Sequence, residues 1–216
     1  MIKGAVEATI AGETVFLLPQ KALWWPAEKT LIVADVHWGK AGHFRRHGMA
    51  IPARATTRSE ERLTEIVALT NPRKVVFAGD LFHSEHNEEV AAFANWAALY
   101  PDIELHLVLG NHDILGADFY EKCRLITHAE TLKMPPFIVA HDALPAAGTL
   151  VIHGHIHPGI KLHGAAKQTI AVPCFALDKK RLILPAFGAF TGCFWLQKGA
   201  FVELYAVGEE EVIRVK

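Results

Sequence analysis

Cysteine is scarce: Cys123, Cys174 and Cys193 are the only three, far apart and without a C-x-x-C pair. That argues against a disulfide framework and against a structural zinc knot built on thiolates, and leaves the thiols as packing residues. Long apolar runs are missing too. The opening "MIKGAVEATIAGETVFLLPQ" has no extended hydrophobic stretch after its early lysine, and no run elsewhere reaches the length that spans a bilayer. A cytoplasmic location is the expectation. Neither sign of charge dominates: 22 Lys and Arg stand against 23 Asp and Glu, so attraction for a polyanion must come from a local patch. One such patch exists. Between His37 and Ser59 stand Lys40, Arg45, Arg46, Arg54 and Arg58 with no acidic residue, whereas a solvated helix face would mix the signs. Linkers, internal repeats and low-complexity segments are also lacking, so residues 1–216 read as one domain. At 51% hydrophobic and 21% charged residues, the chain has the composition of an ordinary globule.

What is present is an alternation. "GAVEATI", "TVFLL" and "TLIVADVH" read as strands, and "TTRSEERLTEIVAL" as a helix with a capping box at Thr57 and Glu60 and a stripe of Leu63, Ile66, Val67 and Leu69. "KVVFAGD" is a further strand. A helix from Asn87 with Val90, Phe93, Ala94 and Ala97 inward follows, then the run "IELHLVLGNHD". Strands without polar alternation belong to a sheet covered on both faces. After residue 142 the segments become short and strand-like, with little room for helices.

The apolar strands end abruptly in polar clusters: Asp35 and His37, Asp80, Asn111 with His112 and Asp113, His141, then His155 and His157. Ligands of α/β sheets gather beyond such carboxyl ends. Any one cluster has a plain structural reading as a turn or cap, but all five offer carboxylate, amide or imidazole. That mixture suits manganese, iron or zinc better than soft copper. The last cluster, "VIHGHIHP", sets His153, His155 and His157 on an alternating comb that, if extended, aims three rings to one side.

The blocks "DVH", "GD", "GNHD", a later His and "GHIH" resemble, in this order, the signature of calcineurin-like metallophosphoesterases. Beyond them, "DVHWGKAGHFRRHG", "GDLFHS", "GHIHPGIKL" and "RLILPAFGAFTG" are similar to the bacterial ligase-associated DNA damage response endonuclease family. The resemblance implies an α/β fold, a four-layer α/β/β/α sandwich with two mixed β-sheets. It also implies hydrolysis of phosphodiesters, with nucleic acid as substrate and a functional association with a DNA ligase and a helicase. A small-molecule phosphodiesterase or phosphatase is the alternative, and a non-enzymatic scaffold of the same fold the more distant one.

By the same resemblance, Asp35, His37, Asp80 and His157 hold one divalent ion, and Asp80, Asn111, His141 and His155 another. Manganese is favoured, with iron or zinc compatible. Asp80 bridges the pair, offsetting the repulsion of two dications, and the Asn111 amide ligates without adding negative charge. His112 is the expected proton donor to the leaving oxygen, oriented by Asp113. His153 has no place in the family pattern and reads as supporting or structural. His83 contacts substrate phosphate or enters a helix. Lys40, Arg45 and Arg46 line the mouth or lie solvated on the surface. Trp24, Trp25 and Phe44 stack on bases or pack at strand ends.

Overall fold

In the computed structural model, the structure describes residues 2–46, 48, 54–83, 88–144, 148–164, 168–189, 191–197, 199 and 201–215, with the side chains at 43, 46, 54–57 and 89 outside that description. Among the described residues, sixteen strands and four helices follow the expected alternation early and lose it late. β1 (Val6–Ile10), β2 (Glu13–Leu18), β3 (Ala22–Trp25) and β4 (Thr30–Val33) form an antiparallel meander. Then come α1 (Lys40–Arg46), α2 (Arg54–Thr70), β5 (Lys74–Ala78), α3 (Glu88–Ala98), β6 (Glu104–Val108), α4 (Ala117–Lys122) and β7 (Leu125–His128). Strands β4 to β7 pair in parallel and extend the meander into a seven-stranded mixed sheet.

The second sheet takes the rest of the chain: β8 (Thr131–Met134), β9 (Phe137–Ala140), β10 (Leu150–His153), β11 (Pro158–His163), β12 (Thr169–Leu177), β13 (Arg181–Ile183), β14 (Phe194–Trp195), β15 (Glu203–Val207) and β16 (Val212–Val215). Its order runs β14-β11-β12-β13-β10-β9-β8, with β15 and β16 branching from β12. β10 pairs in parallel with both β9 and β13. The sheet is therefore mixed, as its partner is.

The continuous apolar runs now have their reason. Leu31 and Val33 face α2 and α3, joining Phe77, Leu63, Val67, Phe93 and Trp96 in one buried cluster. Their neighbour Ile32 points the other way, into a second cluster where Val76 and Val108 meet Phe137, Val139, Ile152 and Phe175 of the second sheet. A strand buried on both faces needs apolar residues at every position. Each fully buried Leu, Ile, Val or Phe contributes about 1.5–3 kcal/mol relative to exposure. The inner cluster thereby fixes the two sheets face to face.

Two details differ from the sequence reading. Thr57 lies inside α2, which starts at Arg54, so it does not cap that helix, and Leu69 is exposed, off the stripe. Among the described residues the four helices all precede Cys123, and those in the outer cluster pack on the first sheet. Among the described residues no helix covers the second sheet, which carries a small further cluster around Ile160, Cys174, Ile183 and Leu204. Among these residues, too, no helix is long and apolar enough to cross a membrane.

Candidate metal centre

The parallel register of β4, β5 and β6 brings their carboxyl ends to one edge, and β9 and β10 bring theirs to the matching edge of the second sheet. The loops continue the pairing past the strands: the Asp35 N–H donates to the Gly79 carbonyl at 3.1 Å, and the His37 N–H to that of Asp80 at 3.0 Å. Across the sheets, the His155 N–H donates to both carboxylate oxygens of Asp35, at 3.0 and 3.2 Å. Two groups of ligand atoms result. Asp35, His37 and His157 form one triad, and Asp80, His141 and His155 the other, the atoms of each lying within 4.8 Å of one another. Each triad draws on both sheets.

Five of these six residues, Asp35, His37, Asp80, His155 and His157, have positive φ between 48° and 70°. Left-handed backbone is uncommon outside glycine, although Asp and His tolerate it better than most, and it persists where surrounding structure over-determines it. Here the turns it makes aim successive side chains inward. The histidine comb is correspondingly not an extended strand. β10 stops at His153, and the turn beyond it points His155 and His157 into different triads. His153 stays behind, fully buried, with Nδ1 3.0 Å from the Gly154 carbonyl.

The donor atoms suit cations. Both ring nitrogens of His37, Nδ1 of His141 and Nε2 of His157 are buried and lack hydrogen-bond partners, an arrangement costly for polar groups unless another species takes the lone pair. Burial, helped by Lys40, His157, His83 and His112, lowers the His37 pKa to about 2 and keeps its imidazole neutral. His157 Nε2 lies 3.6 Å from Asp35 Oδ1, and His141 Nε2 3.6 Å from Asp80 Oδ1. A model of the calcineurin-like phosphoesterase family matches residues 28–173.

The chain belongs to this family.

Membership makes it a metal-dependent hydrolase of phosphoester bonds. Among solved structures, Pseudomonas putida nuclease MPE is similar, with 28% identity, a TM-score of 0.84, and coverage of 98% of this chain and 100% of that one. Yfce, a phosphoesterase from E. coli, shares 13% identity over 86% of this chain and 97% of its own, with a TM-score of 0.46. Vps29 from Entamoeba histolytica, complexed with zinc, shares 14% over 86% and 96%, with a TM-score of 0.36. No curated protein matches the sequence.

Around the triads of this phosphoesterase stand the other residues singled out in the sequence. His112 is half-buried, its ring 5.4 Å from that of His37 and 5.0 Å from that of His83, and its N–H donates to Asp80 Oδ1 at 2.9 Å. Asn111 is exposed on the turn after β6. Lys40 opens α1 with its ammonium 5.8 Å from the Phe44 ring, and the charges of Asp80 and Asp35 both act on it. Arg45 is exposed on the same helix, and the side chain of Arg46 lies outside the described residues. Trp24 and Trp25 are buried and do not reach the site.

Asp113 requires a correction. It was expected to orient His112, yet no hydrogen bond joins the two. Its carboxylate accepts the N–H groups of Phe82 at 3.0 Å, Gly110 at 2.9 Å and Leu81 at 3.4 Å. Burial raises its pKa to about 7 against the opposing pull of those bonds. Asp113 thus ties the "GD" loop to the "GNHD" loop and fixes where Asp80 and His112 stand relative to each other.

The glycines of the blocks serve close approach. A Cβ on Gly79 would collide with the His141 ring, one on Gly110 with Asp80, and one on Gly154 with Asp35. Gly79 also has φ of +81°. Gly79→Ala is expected to cost about 1–2 kcal/mol from the backbone alone and to displace His141. Urea unfolding together with bound-metal analysis checks both effects.

Proposed function

We propose that this phosphoesterase is a nuclease that cleaves phosphodiester bonds of nucleic acid with two divalent ions, manganese being favoured. The observation that carries the reading is the pair of triads meeting across the two sheets, with buried imidazole nitrogens that have no partner of their own. The nuclease that resembles this chain over its whole length supports the choice of substrate. On this reading Asp35, His37, Asp80 and His157 hold one ion, and Asp80, Asn111, His141 and His155 the other. When bound, such ions supply Lewis acidity toward phosphoryl oxygens and a water made nucleophilic near neutral pH.

The chain's own residues do the rest. Asp80, its carboxylate held in place by the His112 N–H, would serve both ions when they are bound. The His112 imidazolium gives its proton to the leaving oxygen, and Asp113 sets the loop from which it does so. Lys40, whose charge senses both site carboxylates, and His83, beside His112, contact the substrate phosphate; Arg45 and Arg46 hold the flanking backbone. The sequence resemblance supports a role in DNA repair, beside a ligase and a helicase.

The test is manganese-dependent cleavage and binding of single-stranded DNA across a salt series. Binding is expected to weaken linearly in log–log form as salt rises, and Arg45→Ala to reduce the slope by about 1. Turnover of bis-p-nitrophenyl phosphate without salt-dependent DNA binding overturns the nucleic-acid assignment in favour of a small-molecule diester.

A further inference from the structure

Directly after His157 the chain enters β11, and β14 docks beside it in parallel. The Phe194 N–H donates to the His157 carbonyl at 2.9 Å, the Leu196 N–H to that of Gly159 at 2.8 Å, and Pro158 and Gly159 stand in register with Phe194 and Trp195. Both aromatic side chains face solvent, Phe194 at 64% exposure and Trp195 at 41%, and no other aromatic joins them among the exposed large hydrophobic residues described. Gly159 makes room for the indole: a Cβ there would lie 2.9 Å from Trp195 Cζ3. Over the same indole, at 5.6 Å from its centroid, stands the Lys161 ammonium. A cavity of about 360 Å³ opens beside the ring, lined by Ile160, Lys161, His163, Trp195, Leu196 and Gln197 among others, with no acidic residue.

The strand that carries these exposed aromatic faces is bonded through its backbone to the His157 carbonyl, and apolar surface is costly to leave in water. A strand of nucleic acid matches them on three counts. Its unpaired bases stack on any π face, its phosphates suit the lysine and the absence of carboxylates, and its scissile diester lies on the same chain as its bases. Paired bases hide the faces that stacking needs. Resting on the nuclease reading, we propose that Phe194 and Trp195, on opposite faces of β14 and with Lys161 beside the indole, form a two-sided stacking platform for unpaired bases flanking the phosphate being cleaved.

The experiment measures, with manganese, the ratio of kcat/KM for a single-stranded oligothymidylate to that for bis-p-nitrophenyl phosphate. Wild type is compared with Phe194→Leu, Trp195→Leu and Trp195→Phe. Leucine keeps apolar bulk but removes the π face, so the ratio is expected to fall roughly tenfold or more, the effect of losing one base–aromatic stack. Trp195→Phe is expected to restore most of it. If wild type cleaves the oligonucleotide and both leucine variants keep its ratio, the platform is refuted and the nuclease reading stands. If wild type cleaves only the small diester, the nuclease reading fails and the platform with it. An unchanged ratio with loss of a dimer in sedimentation makes the surface a contact between copies of the chain, which also overturns the proposal.

Discussion

Replacing His112 by alanine is expected to lower manganese-dependent turnover of bis-p-nitrophenyl phosphate by roughly 10²–10⁴, the contribution of a positioned general acid, with bound metal retained. The reasons are geometric. His112 belongs to neither triad, yet its ring packs against that of His37, a triad member, at 5.4 Å. Its link to the carboxylate network is its backbone N–H, which donates to Asp80 Oδ1 at 2.9 Å. Alanine keeps that N–H, so Asp80 stays oriented while the imidazole disappears. Metal analysis of the variant separates the two roles: full metal with a normal rate removes His112 from the chemistry, and lost metal makes it a ligand.

Asp80→Ala is expected to be as damaging by another route, abolishing turnover and most of the manganese-dependent rise in Tm. Two dications at the separation usual in two-metal sites, roughly 3.5–4 Å, repel by on the order of 15 kcal/mol at an effective dielectric constant of ~20. A shared carboxylate is the economical remedy, and Asp80 is buried, 3.6 Å from His141, and close enough to Lys40 for its charge to act there. An ion that binds only the folded chain stabilises it by about 2.7 kcal/mol at a hundredfold excess over its Kd. Thermal scans with and without manganese read that increment directly. A variant that retains the full shift and two bound ions sinks the bridging role.

The catalytic edge was legible in the sequence because it is written as a contrast. "LIVADVH" and "VVFAGD" pass from unbroken apolar residues to ligand types within two positions, at the carboxyl ends where α/β sheets gather their ligands. What was hidden depends on tertiary neighbours. α1 carries "KAGHFRR", basic and without an apolar stripe, so periodicity never marked it as a helix. The comb at 153–157 alternates like a strand, while the positive φ at His155 and His157 that breaks it leaves no periodic trace. Trp24 and Trp25 were open to a surface reading, but β3 lies between two cores: Trp24 joins the helix-side cluster and Trp25 the inter-sheet one. The partners of Asp113 are largely backbone groups some thirty residues upstream, at Leu81 and Phe82, which carry no side-chain signature to predict them.

That both triads recruit from the two sheets has a consequence for how the protein is made. Asp35, His37 and Asp80 precede every residue of the second layer, while His155 and His157 come well downstream. At ordinary translation speeds, roughly ten seconds of synthesis separate the first ligand from the last. A growing polypeptide on the ribosome that has made only the first layer therefore holds two of the three ligands of one triad and one of the three of the other, and neither set is complete. It acquires the complete ligand set of a phosphoesterase only after its second layer has emerged and closed over the first.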